Sequence, residues 1–187
     1  MQNAKMKLFN GYDKMTEPIN SSEIDKTFFE KLKEEKGMEK VLLCFNCSGC
    51  STGCPMAEIE SNFNIKKYIR MAGLGLKDRL LNDKYIWYCT TCYKCQERCP
   101  EEVLNVDTLL KIRTMAVAEG IMYDDHRAVA ANVIETGHGV PINDKNKENR
   151  KKLGLKEIPP TVHSFPEAYE DVKKLLKSVG FDELVSK

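Results

Sequence analysis

Two stretches of the chain share one cysteine pattern: C-F-N-C-S-G-C-S-T-G-C-P at 44–55 and C-T-T-C-Y-K-C-Q-E-R-C-P at 89–100. Both are C-x2-C-x2-C-x3-C-P, and no other feature limits the possible folds as strongly. Three thiolates at x2 spacing can wrap three corners of an iron–sulfur cubane from one short loop. The fourth follows x3, precedes a turn-forcing proline and projects away. A pair of zinc sites also uses C-x2-C pairs. Zinc would leave the third cysteine and the trailing Cys-Pro of each copy without a purpose. The two intact copies therefore predict two [4Fe–4S] clusters.

The same spacing predicts which cysteines go together. Cys44, Cys47 and Cys50 lie in one loop, and Ser51-Thr52-Gly53 carries Cys54 away from them. Cys89, Cys92 and Cys95 repeat that grouping, with Cys99 set apart before Pro100. Crossing satisfies both clusters: Cys44, Cys47, Cys50 and Cys99 hold the first, and Cys89, Cys92, Cys95 and Cys54 the second. Each crossing closes a long loop and ties the two halves together.

All 8 cysteines of the 187 residues fall in these motifs, so none is left for a disulfide or a nucleophile. Thiolate ligands must stay reduced, which places the expected protein in the cytoplasm. Lys plus Arg number 29 against 28 for Asp plus Glu. That balance provides no field to gather nucleic acid or an anionic membrane. Residues 1–9 contain no apolar signal-peptide core, and no apolar run approaches the ~18 residues of a membrane span. No flavin or nicotinamide loop is present. Gly73-Leu74-Gly75 lacks the third glycine of G-x-G-x-x-G, with Asp78 in its place, and reads as a helix stop.

The segment between the motifs sets the fold class. Asn64–Ala72 and Lys77–Leu81 have helical texture, and no Asn-Gly or Asp-Gly hairpin turn appears. The expected fold is all-α: a helical ferredoxin-type domain with an N-terminal arm and a C-terminal helical tail. Its expected limits are 1–40 for the arm and first helix, 41–140 for the cluster domain and 141–187 for a partner-docking tail. The first helix should be capped by Ser22, bury Ile24, Phe28 and Leu32, and end at Gly37. A helix capped by Asn105 or Asp107 should run to about Glu119 with Leu109, Ile112 and Ala116 inward; another should follow from Asp124 or Asp125 to Thr136. His126 and His138 near its ends are expected to be surface residues rather than ligands. The basic run at 143–152 reads as a solvated helix face, and 166–177 as a last amphipathic helix.

Small residues at Ser48, Gly49, Ser51, Thr52 and Gly53 should let backbone N–H groups approach the sulfides. Pro55 and Pro100 each sit where a helix could begin. Lys94 and Arg98 serve either as counter-charges or as contacts for a partner. Clusters carry single electrons and do not alone reduce an organic substrate, so the expected role is an electron wire.

The cysteine motifs, together with Thr136-Gly-His-Gly-Val-Pro-Ile142 and the stretch from Lys151 to Thr161, resemble the C subunit of CoB–CoM heterodisulfide reductase. The resemblance covers about residue 22 to the end. It implies an iron–sulfur subunit of methanogens that is partnered by a flavin-containing A subunit and a catalytic B subunit. Electrons would pass from A through this chain to B, where CoM–S–S–CoB is reduced. It also implies an upstream electron source, a hydrogenase or a formate dehydrogenase. The catalytic subunit's paired-cysteine motifs are absent here. A succinate dehydrogenase-type iron–sulfur subunit would need further cysteines before Cys44. A free-standing ferredoxin serving other oxidoreductases is the alternative, though it would be smaller and more acidic.

Overall fold

A computed structural model describes residues 17–186. These are helical, with no strand among them. The arm expected over 1–20 lies outside the described residues as far as residue 16. Contacts divide the chain into two compact units, up to Ile121 and from Met122 onward.

The first unit begins with a 3-10 turn at Ser21–Glu23, capped by Asn20 rather than led by Ser22. Asn20 Oδ1 accepts from the Ser22 amide at 3.1 Å, and Glu23 Oε1 accepts from the Asn20 amide at 2.9 Å. This reciprocal box uses up the segment, so helix α1 (Lys26–Lys33) starts later with Asp25 as its cap. Asp25 Oδ1 accepts from the Thr27 amide at 2.8 Å and the Phe28 amide at 3.3 Å. Phe28 and Leu32 are buried as expected, whereas Ile24 precedes the helix and is 42% exposed.

A near-repeat then builds the two motifs. A 3-10 turn at Met38–Leu43 leads into Cys44, and the loop closes in α2 (Gly49–Thr52). A second 3-10 turn at Lys84–Tyr88 leads into Cys89, and that loop closes in α6 (Lys94–Glu97). Between them lie α3 (Pro55–Ile59), α4 (Ile65–Gly73) and α5 (Lys77–Leu81); α7 (Asn105–Ala118) follows. Pro55 is the first residue of α3, with Cys54 at the cap. Pro100 begins no helix: it lies in a turn that continues to Glu102, whose φ is +52°.

The core forms where α1, α4, α5 and α7 meet around the 3-10 turn at Met38–Leu43. In α4, Ile65, Tyr68, Ile69 and Ala72 recur at i, i+3, i+4 and i+7, and all are buried. Leu109, Ile112 and Ala116 of α7 face them. Asn105 and Asp107 do not cap α7, because both are drawn to the second motif. Asn105 Nδ2 donates to the Cys95 carbonyl at 3.2 Å. Asp107 accepts from the Tyr93 hydroxyl at 3.0 Å and from Gln96 Nε2 at 2.9 Å.

Helix α4 ends at Gly73, within the expected Gly73-Leu74-Gly75 stop, and Gly75 is the left-handed residue that closes it. The Gly75 amide bonds to the Ala72 carbonyl at 3.1 Å and the Leu76 amide to the Met71 carbonyl at 3.0 Å, closing the helix with a left-handed residue. Gly75 has φ +72°, and a Cβ there would stand 2.5 Å from the Asp25 carbonyl oxygen. Gly75→Ala should therefore destabilise the loaded protein by roughly 2–3 kcal/mol in urea unfolding. Gly154 has φ +69° but nothing within 4 Å, so Gly154→Ala should cost only about 1 kcal/mol. Equal losses would show that the Asp25 contact adds nothing.

The second unit contains α8 (Asp124–Thr136), α9 (Asp144–Lys152), α10 (Pro166–Ser178) and α11 (Phe181–Ser186). Helix α8 closes at Gly137, as its sequence predicts. The Tyr169 hydroxyl donates to the Ile134 carbonyl at 2.9 Å and also to that of Glu135. Arg127 Nη1 donates to the Val185 carbonyl at 2.6 Å. None of the described residues of these four helices is buried. The change of texture at Pro141 falls inside this unit. No helix among the described residues is long and apolar enough to cross a membrane.

Candidate functional site

The three-cysteine loops adopt the same uncommon backbone. Asn46 and Ser48 in the first, and Thr91 and Tyr93 in the second, have φ of 69°, 70°, 53° and 61°. These are equivalent positions of the repeat. A left-handed conformation is costly for residues other than glycine, most of all for β-branched threonine. Alternating hand along a short loop turns successive N–H groups to one side and makes a concavity suited to an anion. Of these four, only Ser48 belongs to the small-residue run expected to admit N–H groups. The device is conformational, so it does not require small side chains.

Each loop borders a cavity, and the last cysteine of the opposite motif lines it. The first cavity is bordered by Cys44, Cys47, Cys50 and Cys99. The second is bordered by Cys89, Cys92, Cys95 and Cys54. Asn46, Ser48, Lys66, Glu101 and Asn105 also line the first. Met56, Phe63, Ile65 and Val106 make the second largely apolar.

All eight cysteines are free thiols. Burial pushes the Cys50 and Cys89 thiols above the usual range. Burial first, and then the neighbouring Cys89, Cys50, Cys54 and Cys92, push Cys95 up to about 12. Backbone donors already orient two sulfurs. The Thr91 amide donates to Cys89 Sγ at 3.4 Å and the Val103 amide to Cys99 Sγ at 3.3 Å. Such bonds fix ligand direction and spread charge away from a bound group. Eight thiols around two cavities, with N–H donors turned inward, fit iron–sulfur ligation. Among the described residues no three His, Cys, Asp or Glu side chains are arranged to hold a single metal ion.

Basic side chains reach both sites, and sequence reasoning missed three of them. Lys66 Nζ donates to Ser48 Oγ at 2.8 Å beside the first cavity. Arg70 Nη1 donates to the Cys44 carbonyl at 3.1 Å. At the second site, Arg113 donates from Nε to the Ile86 carbonyl and from Nη2 to the Cys89 carbonyl, both at 2.9 Å. Its guanidinium also lies over Trp87, 5.7 Å from the ring centre. The signal for the two arginines was a basic residue 26 positions after Cys44 and another 24 after Cys89, each on a helix following its motif. Lys94 and Arg98, expected to be either counter-charges or partner contacts, are exposed. Arg98 lies against Gly53, where a Cβ would come within 2.4 Å of its Nη1. His126 meets Tyr123 edge-on, and the His138 carbonyl accepts from Asn132. Neither histidine lies in a site wall.

A helical frame carrying paired cysteine loops defines an iron–sulfur protein of the dicluster ferredoxin class, and the 4Fe-4S dicluster domain family matches residues 40–103. The C subunit of the H(2):CoB-CoM heterodisulfide,ferredoxin reductase of Methanothermobacter thermautotrophicus is 47% identical, covering 89% of each chain. The iron-sulfur C subunit of the CoB–CoM heterodisulfide reductase of Methanopyrus kandleri is 40% identical over 91% of this chain and 94% of its own. The C subunit of the ferredoxin/F(420)H(2)-dependent CoB-CoM heterodisulfide reductase of Methanosarcina acetivorans is 43% identical over 84% and 96%. The chain belongs to the family of CoB–CoM heterodisulfide reductase C subunits.

Proposed function

We propose that this chain is the electron-relay subunit of a heterodisulfide reductase and takes no part in breaking bonds. It passes single electrons from a flavin-containing A subunit to a catalytic B subunit that reduces CoM–S–S–CoB. The supporting observation is the pair of cavities, each bordered by three cysteines of one motif and the last of the other. Cys44, Cys47, Cys50 and Cys99 would hold one [4Fe–4S] cluster, and Cys89, Cys92, Cys95 and Cys54 the second. Bound there, such a group supplies a one-electron couple. The left-handed loops present N–H groups to the added charge, while Phe63, Ile65 and Val106 keep water from the second site.

The segment 141–187, together with α8, docks the partner subunits. Leu153, Leu175 and Val179 are 75%, 66% and 72% exposed, apolar surface that a partner would cover. The complex is cytoplasmic, where thiolate ligands stay reduced. A hydrogenase or formate dehydrogenase supplies its electrons.

The purified chain, loaded with iron and sulfide, should accept electrons from a low-potential dye and return them to an oxidant. With CoM–S–S–CoB as the only acceptor, dye oxidation should stay at the protein-free rate. Disulfide reduction by the chain alone would refute the relay reading.

A further inference from the structure

We infer that Arg113 is the half-buried counter-charge of the site bordered by Cys54, Cys89, Cys92 and Cys95 and sets the ease of its reduction. This rests on the proposal that a cluster occupies that site. Arg113 comes from α7, outside both motifs, and is half-buried. Its guanidinium is fixed on three sides by the Ile86 and Cys89 carbonyls and the Trp87 ring. Among the described residues it forms no ion pair with a carboxylate. The bond from its Nη2 to the Cys89 carbonyl, at 2.9 Å, places it beside that ligand. A half-buried cation without a counter-ion is unfavourable, and an anionic group ligated by Cys89 would remove that cost. Reduction adds one negative charge to such a group, and a half-buried cation fixed beside Cys89 favours the reduced form.

The first site supplies an internal comparison. Arg70 grips the Cys44 carbonyl as Arg113 grips that of Cys89, but Arg70 is exposed. Water and salt screen it, so its charge acts weakly.

The test uses the full chain with both sites loaded, poised by redox titration and read by EPR. The second-site signal is the one that Cys92→Ser alters, so the result does not depend on which motif supplies the fourth cysteine. Arg113→Gln should lower the reduced-to-oxidised ratio of that signal at fixed poise by about tenfold, a midpoint shift of about 59 mV for one electron. Arg113→Lys should restore the ratio to within about threefold, because it keeps the charge. Arg70→Gln should change the first-site ratio less than about twofold. The unaltered protein gives a check that needs no substitution. Raising salt from about 0.01 M to about 0.1 M shortens the screening length from roughly 30 Å to roughly 10 Å. That should shift the first site more than the second. The inference is overturned if Arg113→Gln leaves the second signal unmoved, or if Arg113→Lys shifts it as far as Arg113→Gln. It is also overturned if salt moves the second site as much as the first.

Discussion

Cys99→Ser is expected to disrupt the cluster held by Cys44, Cys47 and Cys50, and to spare the one held by its own motif. The two EPR signals are first assigned with Cys47→Ser and Cys92→Ser. Cys99→Ser should then weaken or reshape the signal that Cys47→Ser affects. Iron content should fall from about eight to about four atoms per chain if the three remaining thiolates fail to retain the group. Cys54→Ser should do the same to the other signal. The physical ground is the placement of Cys99 on the wall with Cys44, Cys47 and Cys50, and of Cys54 with Cys89, Cys92 and Cys95. If Cys99→Ser alters the same signal as Cys92→Ser, each motif holds its own cluster and the crossed assignment is wrong.

Ending the chain after Ile121 should leave both clusters intact and abolish assembly. Every cysteine and every wall residue of the two cavities lies before that point, and so do the buried side chains of the cluster core. The truncated chain should carry the same iron per protein and the same EPR spectrum as the full one. Its affinity for the A and B subunits should fall at least about 100-fold, roughly 2.7 kcal/mol, because the apolar surface on Val140, Leu153, Leu155 and Leu175 is removed. Loss of iron on truncation would place the second unit in the cluster core. Unchanged assembly would assign docking to the first unit.

The elements with strong periodicity were legible in the sequence. Phe28 and Leu32, and Leu109, Ile112 and Ala116 of α7, face the core as expected, whereas Ile24 does not. The misses concern local competition for hydrogen bonds. Ser22 heads a plausible S-x-x-D cap, but Asn20 with Glu23 forms a better reciprocal box two residues earlier. Asn105 and Asp107 have the right chemistry to cap α7, yet the second motif's loop engages both. Two glycines two residues apart cannot be told apart by composition. Only the approach of the Asp25 carbonyl singles out Gly75. The eight cysteines needed no structure to be noticed. Arg113 did, because its role depends on a helix from elsewhere in the chain packing beside Cys89.

The placement of Cys99 has a consequence for biosynthesis. When Cys54 leaves the ribosome, the first motif is complete as a sequence but the first cavity still lacks part of its wall. Cys99 follows 99 − 54 = 45 residues later, a delay of roughly 2–9 s at ~5–20 residues per second. On the proposed crossed assignment, three thiols wait in a loop during that interval with no fourth partner. Iron loading with the crossed ligands is thus a late event, after both loops have emerged. A nascent chain released early, between Cys54 and Cys99, would hold neither cluster with a full set of ligands.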